Sequence, residues 1–222
     1  MKKVCSIIAS VCLMFITTGV FAQNNQKCGC WYIGGGIGYS KFNLDDSLPS
    51  IPGVTFTLSD DDNDLGWKIF GGYQWNPNFA IELGWVDLGE ASQTLTFTSP
   101  AIGSLNASFK SNGPFFDVLG IIPIGDNFSL HGKIGGYYAN NSLDYSGSGP
   151  VATLLPLIAA AGTPLSEDKD EFTWKAGLGA RYDFTKNVGA RAEWERYFDL
   201  DTDHSGGGTD VDLFSINFIY SF

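Results

Sequence analysis

Over the last twelve residues, 211–222, large apolar side chains alternate with smaller or polar ones. Phe214, Ile216, Phe218, Tyr220 and Phe222 fall on one face, and Leu213, Ser215, Asn217, Ile219 and Ser221 on the other. A period of two is the side-chain repeat of a β-strand. Five large apolar groups on one strand face are an aggregation hazard in water. Against a bilayer the same row forms the lipid-facing surface of a transmembrane strand, its end rings lying at the interfacial girdle. Comparable alternation recurs over 31–42, 65–75, 79–91, 105–122, 128–140, 172–184 and 188–198. The pattern therefore predicts eight strands.

The connections alternate as well. Residues 76–78, 125–127 and 185–187 are tight turns, whereas 43–64, 92–104, 141–171 and 199–210 are long and mostly polar or acidic. Short turns on one side and long loops on the other characterise outer-membrane barrels. The predicted fold is all-β, an eight-stranded antiparallel up-and-down transmembrane β-barrel. The turns and both termini are expected in the periplasm and the four loops outside.

The start of the chain agrees with export. Lys2 and Lys3 precede an apolar run over 4–16, and Val20-Phe21-Ala22 places small residues at a cleavage site. Such a segment is a secretory signal, too short for a membrane span. Residues 1–22 are read as the signal peptide and 23–222 as one barrel domain of about 200 residues, an ordinary domain size. The longest later apolar stretch, 151–165, contains Pro156 and Pro164 and does not suit a membrane-spanning helix. Of the two structures that cross membranes, the closed barrel remains. A formal charge of −11 with no basic patch argues against nucleic acid as a partner.

Strand parity assigns the charged residues. With Trp174, Leu178 and Tyr182 towards lipid, Lys175, Arg181 and Asp183 point inward. With Ala190, Ala192 and Trp194 outside, Arg191, Glu193 and Glu195 point inward. Lys68, Glu82, Lys133 and Asp117 complete the interior set, although 115–122 is apolar on both faces. Eight strands leave an interior only wide enough for side chains, and charges confined there persist only when paired. A salt-bridge network closing the barrel, assisted by Gly34, Gly36, Gly72, Gly135, Gly177 and Gly179, is the reading adopted. A gated pore whose ion pairs exchange partners is the alternative.

Several strings resemble the transmembrane domain of the OmpA-like outer-membrane proteins. They are Trp31-Tyr32-Ile33-Gly34-Gly35-Gly36-Ile37-Gly38-Tyr39-Ser40, then Phe70-Gly71-Gly72-Tyr73-Gln74-Trp75-Asn76-Pro77 leading to Glu82-Leu83-Gly84-Trp85, then Lys133-Ile134-Gly135-Gly136-Tyr137. The resemblance covers nearly all of the mature chain but not the peptidoglycan-binding domain of longer members, so that role is not implied. It implies a bacterial outer-membrane location, and inward charged positions at Glu82, Lys133, Arg191 and Glu193. Arg181 departs from the pattern, standing where an acidic partner is expected. The resemblance also implies that the barrel-assembly machinery recognises the terminal Phe222.

The remaining features are weaker. His131 lies two residues from Ser129, and Asp183 or Glu82 is a conceivable third member of a triad. A histidine bonded to a nearby carboxylate is the commoner arrangement, and the chain is read as not an enzyme. Asp199, Asp201, Asp203 and Asp210 follow a calcium-loop spacing, but His204 occupies the place of the turn glycine, so solvated acidic loop tips are expected instead. No cofactor is expected. Cys28 and Cys30 have one residue between them, which strains an intrachain bridge and leaves a bridge to a second chain as the alternative. In the third loop, Val151, Leu154, Leu155, Leu157, Ile158 and Leu165 form an apolar tract. It folds back on the barrel mouth, forms a short helix between Pro150 and Pro164 resting at the lipid interface, or exposes an interaction patch. Outer-membrane lipid and lipopolysaccharide are the expected partners of a monomer. A surface adhesin contacting a host ligand through its loops is a third functional reading.

Overall fold

The computed structural model describes residues 29–43, 55–61, 63–99, 102–154, 156, 165–200 and 209–222. Its strands are β1 (Cys30–Phe42), β2 (Thr55–Asp61), β3 (Asn63–Asn76), β4 (Phe79–Ser99), β5 (Gly103–Ile124), β6 (Phe128–Ser148), β7 (Ser166–Asp183), β8 (Val188–Leu200) and β9 (Thr209–Ser221). All neighbours are antiparallel, and β1 pairs with β9 from Tyr32 opposite Ser221 to Phe42 opposite Val211, closing the ring. β2 lies against residues 92–99 of β4, on the edge that β3 occupies further along. β2 and β3 thus fill one position, and the barrel has eight. A bulge in β4 lies beside this break, where Gly89 has a φ of 82° and Asp64 accepts the Glu90 N–H at 2.8 Å.

The three tight turns lie together at one end, termed the turn end, and side chains fix two of them. Asn76 Oδ1 accepts the N–H groups of Asn78 and Phe79, each at 2.8 Å, and Thr185 Oγ1 accepts those of Asn187 and Val188.

The opposite, loop end corrects the predicted boundaries. The β4–β5 ladder runs to Phe97 opposite Gly103, β5–β6 to Ser104 opposite Ser148, and β6–β7 to Asp144 opposite Ser166. Most of 92–104 and much of 141–171, expected as loops, is paired strand, and 43–64 contains β2. Hydrophobic alternation marks a strand only where one face meets an apolar environment. Here Thr94, Thr96, Thr98, Ser104, Asn106 and Ser108 carry the ladder with polar side chains, and threonine suits a pleated strand.

Within the ring the predicted parity holds. On β9, Ile216, Phe218 and Phe222 are each more than 60% exposed, while Leu213, Ser215, Asn217, Ile219 and Ser221 are buried. The Phe222 N–H donates to Trp31 O at 3.0 Å, extending the closing seam to the last residue. Deleting Phe222 removes that bond and one ring of the outer row. The heat-modifiable, folded fraction in outer membranes is expected to fall, and wild-type insertion of the shortened chain would refute this.

Glycines opposite aromatic residues shape the interior. Tyr32 lies across from Gly72, Phe70 from Gly34 and Phe115 from Gly84, and in each pair the ring covers the position a glycine side chain would fill. Aromatic rings laid over cross-strand glycines fill the narrow tube while pinning strand register.

Candidate functional site

The interior is layered along the barrel axis. Its middle layer holds four cations, Lys68, Lys133, Lys175 and Arg191, and four carboxylates, Glu82, Asp117, Glu193 and Glu195, all buried. Arg191 donates from Nη1 and Nη2 to the two oxygens of Glu82 at 2.6 and 3.2 Å, a bidentate geometry. Tyr32 donates its hydroxyl to the same carboxylate at 2.8 Å. Lys175 Nζ lies 2.9 Å from Asp117 and 2.8 Å from Glu195, and 3.8 Å from the centre of the Phe115 ring. Arg191 lies over Phe70 in the same way.

Glu193 is the centre of the set. Lys68 Nζ approaches its Oε2 at 2.5 Å and Asn217 donates there at 2.9 Å. Lys133 Nζ at 2.7 Å, His131 Nε2 at 2.9 Å and Arg191 Nε at 3.1 Å meet its Oε1. Lys68 also binds Glu195, and Lys133 reaches Glu195 at 2.9 Å, so both lysines bridge the two β8 carboxylates. Formal charges cancel, and mutual pairing offsets the cost of removing them from water.

Eight of the ten predicted interior charges come together here. Arg181 and Asp183 do not join them. They pair with each other at 2.8 Å at the turn end, where they are half-buried, and Arg181 Nη2 also donates to Ser221. Asp117, hard to place within an apolar stretch, points inward with Phe115 and Leu119. The triad candidates are not assembled: His131 bonds Glu193, while Glu82 and Asp183 bind arginines. Sequence reasoning did not identify Tyr32 and Asn217 as members of the network, although both share the inward parity of their strands.

Towards the loop end the interior is mainly aromatic and aliphatic, with Ser40, Ser111, Asn141 and Thr173 buried among the rings. Phe42 meets Phe109 edge-on at 5.9 Å, Tyr137 meets Tyr197 at 5.0 Å, and Leu88 and Leu213 are fully buried beside them. Towards the turn end lies a cavity of about 10 Å³, room for about one water molecule.

The other candidates lie apart. Asp210 Oδ1 accepts the Asp199 N–H at 3.1 Å, and Asp199 has a φ of 55°, while Asp201 and Asp203 are outside the described residues. Among the described residues no group of three His, Cys, Asp or Glu side chains is placed to hold a metal. In the apolar tract, Pro150–Leu154 forms a 3₁₀ turn and Leu165 O accepts the Tyr145 N–H, while Leu155, Leu157 and Ile158 are outside the described residues. Cys30 is a half-buried free thiol, and Cys28 and the predicted signal segment are also outside them.

A family model for the outer membrane protein beta-barrel domain matches residues 8–222. Outer membrane protein A of Yersinia pseudotuberculosis serotype I is 27% identical over 231 residues, covering 100% of this chain and 56% of that protein. Outer membrane protein A of Escherichia coli O157:H7 is 28% identical over 186 residues, covering 81% and 49%. The chain spans about half the length of the curated relatives it matches. Among solved structures, Ail, the attachment invasion locus protein of Yersinia pestis, in complex with the heparin analogue sucrose octasulfate, aligns with a TM-score of 0.51 at 16% identity. That alignment covers 88% of this chain and 100% of Ail, a likeness of fold alone.

Proposed function

Because the chain belongs to the outer membrane protein beta-barrel domain family, we propose that it is a non-enzymatic protein of the bacterial outer membrane whose interior is closed by the charge network and whose role is structural. The turn end and both termini face the periplasm, and the loop end faces outward among lipopolysaccharide. The observation that carries this reading is the pairing of four buried cations with four buried carboxylates beneath an apolar layer. Charges balanced and paired with one another hold no net charge to draw in a passing ion, and close-packed rings above them leave little room for its water.

Single-channel recording of the purified barrel in planar bilayers tests it. A flat baseline is expected, and sustained unitary steps would overturn the closed interior. A narrow pore is the second reading, favoured by one observation: Lys68 and Lys133 each reach both Glu193 and Glu195, so partners can exchange without a cation losing all contact. The polysulfated ligand of Ail is not carried over. Asp87, Glu90, Asp144, Asp168 and Asp170 outnumber Lys110 and Lys169 on the rising strands, a charge opposite to that which attracts a sulfated sugar.

A further inference from the structure

The closed interior makes no use of Cys28-Gly29-Cys30, which leads into β1 at the turn end. With Cys5 and Cys12 inside the predicted signal peptide, these are the two cysteines of the mature chain. We propose that they form a thiol–disulfide exchange site, a bridge that opens and closes reversibly and oxidises dithiols of exported proteins. The proposal rests on the orientation given above, which sets the turn end in the periplasm, an oxidising compartment.

Covalent geometry keeps the two residues close. Consecutive Cα atoms are about 3.8 Å apart, so Cys28 and Cys30 stand no more than about 7.6 Å apart at Cα in any conformation. A straight strand sets them about 6.6 Å apart, the upper end of the disulfide range of roughly 4.4–6.8 Å. The chain is not straight here: it bends at Gly29, whose φ is 79° and whose N–H donates to Gln74 O at 2.8 Å. Glycine takes that left-handed φ freely, and the bend draws its neighbours together. The ring so closed is small and strained, and strained bridges are the readily reduced ones. A structural role fits poorly, because a three-residue loop loses little chain entropy on closing and the bridge ties no strand to another. Cys30 is also open to a partner. It is a half-buried free thiol with the inward parity of Tyr32, off the lipid face. The β1–β9 ladder stops at Tyr32 opposite Ser221, so among the described residues Cys30 has a neighbouring strand on one side only, at Gln74 of β3.

In the exchange a partner thiolate attacks one sulfur of the bridge. The electron pair of the S–S bond leaves on the other sulfur, which takes up a proton. The partner's second thiolate then displaces the first sulfur in the same way. Two electrons and two protons thus pass to Cys28 and Cys30, the partner keeps a disulfide, and a disulfide of an exported oxidoreductase restores the bridge by the reverse exchange.

The mature barrel, folded in lipid vesicles and equilibrated in glutathione buffers, tests the site when its thiols are counted with a maleimide mass tag. Both thiols are expected to disappear together without a linked dimer, and to return at a glutathione excess about a hundredfold below that needed by a long-loop structural disulfide in a control protein. With a reduced dithiol peptide as probe and oxidised glutathione as terminal oxidant, the barrel should oxidise the peptide about tenfold faster than its Cys28→Ser and Cys30→Ser variants. A Cβ at Gly29 meets only Tyr73 Oη, at 3.3 Å, so Gly29→Val should fold by heat-modifiability while its resistance to the left-handed φ tips the pair towards the thiols. A dimer linked through the cysteines, a bridge that resists glutathione, or a rate equal to that of the serine variants overturns the proposal. Tagging of the reduced thiols by an impermeant maleimide in intact cells would instead place the turn end outside and refute the orientation, on which the measurements with purified barrel do not depend.

Discussion

Replacing Glu193 with alanine is expected to destabilise the barrel by about 3–5 kcal/mol, the range for breaking one partner of a buried ion pair. Five groups meet this carboxylate: Lys68, His131, Lys133, Arg191 and Asn217. Its removal leaves four cations facing three carboxylates in a space closed to water on the loop side. Neighbouring Glu195 cannot compensate, because Lys68, Lys133 and Lys175 already surround it. Glu82→Ala is expected to be milder, since Arg191 keeps Glu193 within 3.1 Å. Urea titration of barrels folded in lipid vesicles measures these losses. Glu193→Gln, which keeps the volume and removes the charge, should retain most of the deficit, and adding Lys68→Met should recover part of it by restoring balance. A deficit below about 1 kcal/mol for Glu193→Ala would show that the network does not hold the barrel together.

Gly36→Val is expected to prevent folding altogether. Gly36 faces the interior on β1, opposite Asn217 on β9, at the seam that closes the ring. A Cβ there would lie 2.7 Å from Asn217 Cα and would also collide with Ile216 O and Asn217 Oδ1. These are mainly backbone positions, so no rotamer change relieves the clash, and the Asn217 amide it displaces is the one that binds Glu193. Gly71→Val is the matched control: it faces outward on β3, where the nearest atom to a new Cβ is 3.9 Å away. Heat-modifiability on electrophoresis reads both. The Gly36 variant should show no folded band and the Gly71 variant a wild-type one, and a folded Gly36→Val barrel would contradict the close approach of β1 and β9.

The two glycines show how far a sequence can be read. Gly36 and Gly71 look alike in the chain, each within a glycine-rich strand, and parity alone separates inside from outside. Which inward glycine meets a neighbouring backbone depends on where two strands twist together, and that is a property of the closed ring. Arg181 makes the same point for charge. Its inward parity was legible, but its two-residue separation from Asp183 on one strand and its place at the turn end keep it out of the central set.

The sequence by itself determined the barrel, the number of its strand positions, the outward face of its clearly alternating strands, and eight of the buried charges. A bilayer imposes a period of two on every strand that crosses it, and that period is written in residue order. The strand lengths beyond the bilayer, the break between β2 and β3 and the convergence of five groups on Glu193 were decided only by the tertiary structure. Above the membrane neither face must be apolar, so the ladder continues without a hydrophobic signature. Inside the ring, partners come from strands separated by up to 127 residues, as for Lys68 and Glu195, and the stagger that aligns them exists only once the ring has closed.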